Sequence, residues 1–246
     1  ATAVALVDPK ASKTYLFEAT PHMPRQLYQL EQQAAGYALS GVFLTHAHIG
    51  HYAGLMFFGH ESMGASNVPV FAMSRMADYL RSNGPWSQLV AYNNISLQPL
   101  AHNKTEKFST VGVTPFLVPH RDEFSETVGY SIQGPDKTAV FIPDINKWSV
   151  WDRDIAEVIM AVDYALLDAT FFGAGELPGR DMSKIPHPLV TETMVALADL
   201  GPEQRKKVWF IHMNHTNPLL DPQSKEALLV RAAGYNIATE STRLDL

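Results

Sequence analysis

The sequence of 246 residues contains no cysteine. Disulfides and thiolate metal ligands are therefore excluded, and any bound metal must be held by imidazole and carboxylate groups. Lack of cysteine leaves the compartment open, because it suits oxidising and reducing surroundings alike. No apolar run approaches the about 18 residues needed to span a bilayer. Positive charge is not in excess: 19 Lys and Arg against 25 Asp and Glu give a formal charge of −6. That balance argues against a broad basic face for nucleic acid and leaves a small molecule as the expected partner. Internal repeats, low-complexity tracts and obvious linkers are also missing. Ala1 stands where methionine would open a chain, and the strand-like Thr-Ala-Val-Ala-Leu-Val follows, so an upstream segment, removed, cleaved or lying outside this sequence, is expected.

What is present is a globular composition, 46% apolar and 18% charged. The length suits one α/β domain over residues 1–246, with two smaller domains as the alternative. Short apolar runs alternate with helical patterns, the signature of layered α/β architecture. Strands are expected at 3–7 and 14–17, then a helix at 24–35 with Pro24 at its first position and Gly36 as its stop. A strand at 42–45 runs into a histidine cluster. Further along, a strand at 68–71 precedes a helix at 74–81, broken by Asn83-Gly84-Pro85. Strands at 111–118, 127–133, 139–142, 164–167 and 207–211 are expected, with helices at 148–160, 189–200 and 222–233.

Four of these strands end at His46, His120, Asp144 and His212. The carboxyl ends of sheet strands are where open α/β folds place functional groups. The first ends in Thr45-His46-Ala47-His48-Ile49-Gly50-His51, three imidazoles within six residues. His46 and His48, two apart on extended chain, project to one side. Gly50 permits a sharp turn that returns His51 toward the same point. Neutral imidazole is the commonest metal ligand, so the cluster predicts a metal centre.

The run resembles the His-x-His-x-Asp-His signature of the metallo-β-lactamase superfamily, with Gly50 where that family carries aspartate. His120 in Val-Pro-His, Asp144 in Phe-Ile-Pro-Asp and His212 in Phe-Ile-His resemble its later motifs in the right order. Tyr164-Ala-Leu-Leu-Asp-Ala-Thr-Phe171 resembles the His-Glu-Ala-Thr segment of the ribonuclease Z branch, and the helix opening at His187 resembles that branch's next motif. Asn83-Gly-Pro-Trp-Ser, the stretch from Pro119 to Tyr130 and His212-Met-Asn-His-Thr-Asn-Pro218 are similar to the pyrroloquinoline-quinone biosynthesis protein B group. Biosynthetic members of that group generally lack the pair supplied by His46 and His48. The resemblance therefore implies a hydrolase-like relative rather than the biosynthetic role.

This resemblance implies an α/β fold, the four-layer αββα sandwich. It places His46, His48 and His120 on one ion, His51 and His212 on a second, and Asp144 between them, with His215 as a substitute for the carboxylate absent at Gly50. Five histidines and one carboxylate suit zinc best, as one or two ions, while iron and manganese fit the same donors. Asp168 is expected either to donate a proton or to hold a ligand histidine. Its alternative is a strand-end aspartate capping a turn with Thr170. In the resembling branch the position of His187 contacts substrate phosphate. Arg121 and Glu123, beside His120, either contact substrate or pair with each other; Tyr52 is a candidate pocket wall, and Asn214 a candidate to orient His212 or His215.

An ion so held generates hydroxide near neutral pH, so the expected activity is hydrolysis of a small ester, lactone or phosphodiester. No Gly-x-Ser-x-Gly elbow competes with that reading. The alternatives are an iron-dependent oxygenase or oxidoreductase on the same fold and a non-catalytic metal-binding scaffold.

Overall fold

A computed structural model describes residues 2–246. The described residues divide into two compact units, 2–117 with 122–128, and 118–121 with 129–246.

In the first unit, strands β1 (Val4–Asp8), β2 (Lys13–Phe17), β3 (Ala38–Phe43), β4 (Val68–Ala72) and β5 (Ile95–Pro99) form a sheet in that order. Asp8 closes the β1–β2 turn by accepting the Ala11 N–H. From β2 onward the strands run parallel, and Phe17, Phe43 and Phe71 occupy one register. Their rings stack as a ladder, with centroids 4.8 Å apart for Phe17–Phe43 and 4.5 Å for Phe43–Phe71. Gly41 leaves room for this: a Cβ there would meet Phe71 Cε2 at 2.6 Å. Side chains alternate across a strand, so Leu16, Val42, Leu44 and Val70 face the other way. That face buries α1 (Met23–Gln33), α2 (Ile49–Tyr52), α3 (Ser74–Ser82) and α4 (Trp86–Ala91) through Met23, Tyr52, Met76, Leu80, Trp86 and Leu89. Each large side chain so buried contributes roughly 1.5–3 kcal/mol. Strands β6 (Glu106–Phe108) and β7 (Val111–Leu117) pair antiparallel, and Phe108 meets Phe43 edge-on at 5.7 Å.

In the second unit, β8 (Val128–Gln133) pairs antiparallel with β9 (Thr138–Ile142). Strands β10 (Tyr164–Asp168), β11 (Val208–Ile211) and β12 (Asn236–Ile237) continue in parallel from β9. Leu167 lies level with Ile142, and Asp168 with Ile211. The chain leaving β9, β10 and β11 therefore delivers Asp144, Asp168 and His212 at one end of this sheet. Helices α5 (Ile155–Met160), α6 (Val190–Ala196), α7 (Pro202–Arg205) and α8 (Lys225–Ala232) lie between or after these strands.

The expected helix at 148–160 is instead a single tight turn at Trp148–Val150 followed by α5. The cause is Asp154, whose carboxylate accepts the Ala156 N–H and so fixes a helix start there. Likewise α8 begins at Lys225 rather than 222 because Ser224 caps it through the Ala227 N–H. The helix expected at 189–200 stops as α6 at Ala196. Gly50 adopts no glycine-only conformation; the turn after His48 is the first turn of α2. Helices α2, α4 and α7 and strands β5, β6 and β12 are additional to the expected elements. No helix among the described residues is long and apolar enough to cross a membrane.

Candidate metal centre

The first unit holds the histidine run just beyond the phenylalanine ladder. Leu44 N–H still bonds Phe71 carbonyl at 3.0 Å, after which the chain leaves the sheet. The segment 122–128 clamps it: Ala47 N–H donates to Ser125 Oγ at 2.8 Å and Val128 N–H to Thr45 carbonyl at 3.2 Å. His46 and His51 are buried, and His48, extended as the residue before α2, is partly open.

Their ring nitrogens are apportioned. His46 Nδ1 meets Thr45 Oγ1 at 2.8 Å, and its Nε2 faces His48 Nδ1 at 2.8 Å. His48 Nε2 meets Glu123 Oε2 at 3.3 Å, and a carboxylate there favours a proton on that nitrogen. His48 Nδ1 then carries a lone pair aimed at His46 Nε2. A proton on His46 Nε2 or a cation shared by the two nitrogens satisfies that contact, so the pair can take a metal ion. The His51 ring lies 4.2 Å from that of His46, and its Nδ1 is 3.3 Å from Glu18 Oε2.

The second unit repeats the pattern. His120 Nδ1 meets Asn146 Oδ1 at 3.2 Å, and its Nε2 lies 3.3 Å from Asp144 Oδ1. His212 sits just past β11 at φ +60, and its Nδ1 meets Thr170 Oγ1 at 2.8 Å. Thr170 spends its own proton on Asp168 Oδ1 at 2.6 Å, so its oxygen accepts from His212 Nδ1 and leaves Nε2 with a lone pair.

Asp168 is fully buried and saturated. Its Oδ1 accepts from the Thr170 N–H and hydroxyl, and its Oδ2 from Ile145 N–H and His187 Nδ1. His187 Nδ1 lies 2.9 Å from Asp168 and 3.0 Å from Asp144 Oδ1. Burial opposes charging of His187, but the two carboxylates overcome it and raise its pKa to about 10. Burial likewise opposes ionisation of Asp168, and His187 and His212 reverse it, holding the carboxyl below its usual range. Asp144, Asp168 and His187 are close enough together to take an ion, yet a charged His187 already hydrogen-bonds Asp168 and stands at ion-pair distance from Asp144.

Other expected residues fall elsewhere. Tyr52 is buried in the first unit's core, its hydroxyl 2.8 Å from that of Tyr79 and its ring against Trp86, with burial pushing its pKa up. Asn214 donates to Thr216 Oγ1, and its N–H bonds Thr170 carbonyl, tying the turn after β11 to the end of β10. His215 and Arg121 are exposed. Sequence reading had not singled out Glu18, Ser125 or Asn146. Glu18 alone carried a signal, an acidic residue at the end of an apolar strand.

A family model described as "Beta-lactamase superfamily domain" matches residues 6–213, and the chain belongs to that family. Within it, Coenzyme PQQ synthesis protein B of Methylorubrum extorquens (strain PA1) is 26% identical over 263 residues, 98% of this chain and 86% of the relative. The crystal structure of Zn(2+)-bound PqqB from Methylobacterium extorquens matches with a TM-score of 0.80 at 23% identity, over 100% of this chain and 87% of that one. Human tRNase Z, short form, matches with a TM-score of 0.59 at 16% identity, over 87% and 86% of the two chains. These likenesses establish the metallo-β-lactamase fold.

Proposed function

We propose that this chain is a metal-dependent hydrolase acting on a small ester, lactone or phosphodiester. The donors that would hold one or two ions, zinc by preference, are His46, His48 and His51 in the first unit and His120, Asp144 and His212 in the second. The observation that carries the reading is the apportioning of ring nitrogens. His46, His48, His120 and His212 each have one nitrogen engaged by Thr45, Glu123, Asn146 or Thr170, which orients the ring, and each belongs to a set of side chains close enough to share an ion. A divalent ion at such a site lowers the pKa of water from 15.7 toward about 7 and polarises the substrate oxygen.

The chain's own residues supply the rest. Asp144 Oδ1 lies at ion-pair distance from His187 Nδ1 and would share its charge between that ring and the metal centre. Asp168 holds His187 in place and keeps it protonated. Charged His187 binds the developing oxyanion or protonates the leaving oxygen, a role that a purely structural metal site would not require. Arg121 and Asn214 are the substrate-contact candidates; His215 is a reserve donor.

The test is turnover of bis-p-nitrophenyl phosphate, p-nitrophenyl acetate and a simple lactone by zinc-reconstituted protein. His187→Gln is expected to keep its metal and lose about 10²–10⁴-fold in kcat. Oxygen consumption by iron-loaded protein with no ester turnover would overturn the hydrolase in favour of an oxygenase.

A further inference from the structure

Glu18 is a fully buried carboxylate immediately after β2, and neither of its oxygens has a hydrogen-bond partner. Such a group is costly unless a positive charge offsets it. Its backbone stands at φ +80, a conformation that residues with a Cβ rarely adopt and that is held where surrounding structure demands it. The demand is visible on both sides. Glu18 N–H bonds Phe43 carbonyl, and Ala19 N–H bonds the carbonyl of His51, both at 2.8 Å. The strained turn is thus fastened to the backbone of a proposed ligand, and the side chain faces that ligand's ring, with Oε2 3.3 Å from His51 Nδ1. Among the described residues Glu18 joins no set of three or more close metal-donor atoms, which places it behind His51 rather than in a ligand set.

We propose that Glu18 is the positioning residue for His51: it accepts the Nδ1 proton, aims Nε2 at the ion, and supplies the buried negative charge that Gly50 does not. This rests on the metal reading above. No acidic side chain is available at Gly50 itself, where the family signature places an aspartate. A carboxylate acting through the imidazole offsets the ion's charge from one layer further out.

The test uses chelator-stripped protein titrated with Co²⁺, followed by visible absorption and native mass spectrometry. Glu18→Gln is expected to weaken one cobalt equivalent by about 10–100-fold and to shift its absorption bands. The metal-free variant should be at least as stable as the metal-free parent, because a buried carboxylate whose oxygens lack hydrogen-bond partners is gone, while cobalt should raise its Tm by less. Unchanged cobalt affinity and spectrum would overturn the proposal. So would an equal loss of Tm with and without cobalt, the mark of a merely structural residue. A second readout needs no variant: ¹⁵N shifts of His51 in zinc-loaded parent should report a protonated Nδ1, and a protonated Nε2 would overturn the proposal. A parent that takes up no metal would refute the metal reading, and this inference with it.

Discussion

Asp168 and His187 form a buried ion pair, with His187 Nδ1 2.9 Å from Asp168 Oδ2. The pair links the end of β10 to the loop before α6, and through Asp144 it reaches the proposed metal centre. Its charge state makes the first prediction. His187 has a folded pKa of about 10 against 6.5 for a free histidine. A raised pKa contributes stability that is complete below about pH 6.5 and disappears as pH rises through about 10. Urea denaturation of metal-free protein should therefore show parent stability falling across that window relative to His187→Gln. Parallel pH profiles for the two proteins would contradict the assignment.

Asp168→Asn tests the other partner. Asp168 accepts four hydrogen bonds, and the variant leaves a buried imidazolium without its main counter-charge. The expected loss is about 3–5 kcal/mol in metal-free protein, read by chemical denaturation. A loss below about 1 kcal/mol would mean that the pair contributes little beyond a neutral hydrogen bond.

Much of this was legible in the sequence. The strand ends at His46, Asp144 and His212 could be read because an apolar run followed by a metal-ligand residue has few other uses. Asp168 was read as either a turn cap or a functional carboxylate, and it caps Thr170 through one oxygen while pairing with His187 through the other. Helix α4 was missed because six residues are too short for a 3.6-residue period to show. Tyr52 was read as a pocket wall, but aromatic identity carries no information about which face of a short helix points inward. Glu18 escaped because its role depends on a turn at positive φ, and glutamate does not announce one.

Gly54 yields a packing prediction. A Cβ there would collide with the Thr20 carbonyl, and its own N–H bonds Ala19 carbonyl at 2.8 Å. Gly54→Ala must push the α2 region away from the chain after β2. The expected cost is about 1–3 kcal/mol, with weakened metal retention, measured by thermal melting and metal analysis. An unchanged Tm would show that the approach is slack.

Gly50→Asp should behave oppositely. A Cβ at Gly50 meets nothing within 4 Å, and glycine in a helix is itself unfavourable by about 1 kcal/mol. The variant should keep the parent's stability and bind its last metal equivalent about tenfold more tightly in a chelator competition. Weaker binding would argue against a second ion at His51.

Metal content by mass spectrometry, on protein purified without added metal, tests the central claim most directly. It is read beside His46→Ala and Asp144→Ala, with ester and phosphodiester turnover on the same samples. One or two equivalents of zinc in the parent, lost together with turnover in both variants, is the predicted result. A parent that holds no metal even after reconstitution, or one whose turnover survives both substitutions, would contradict it.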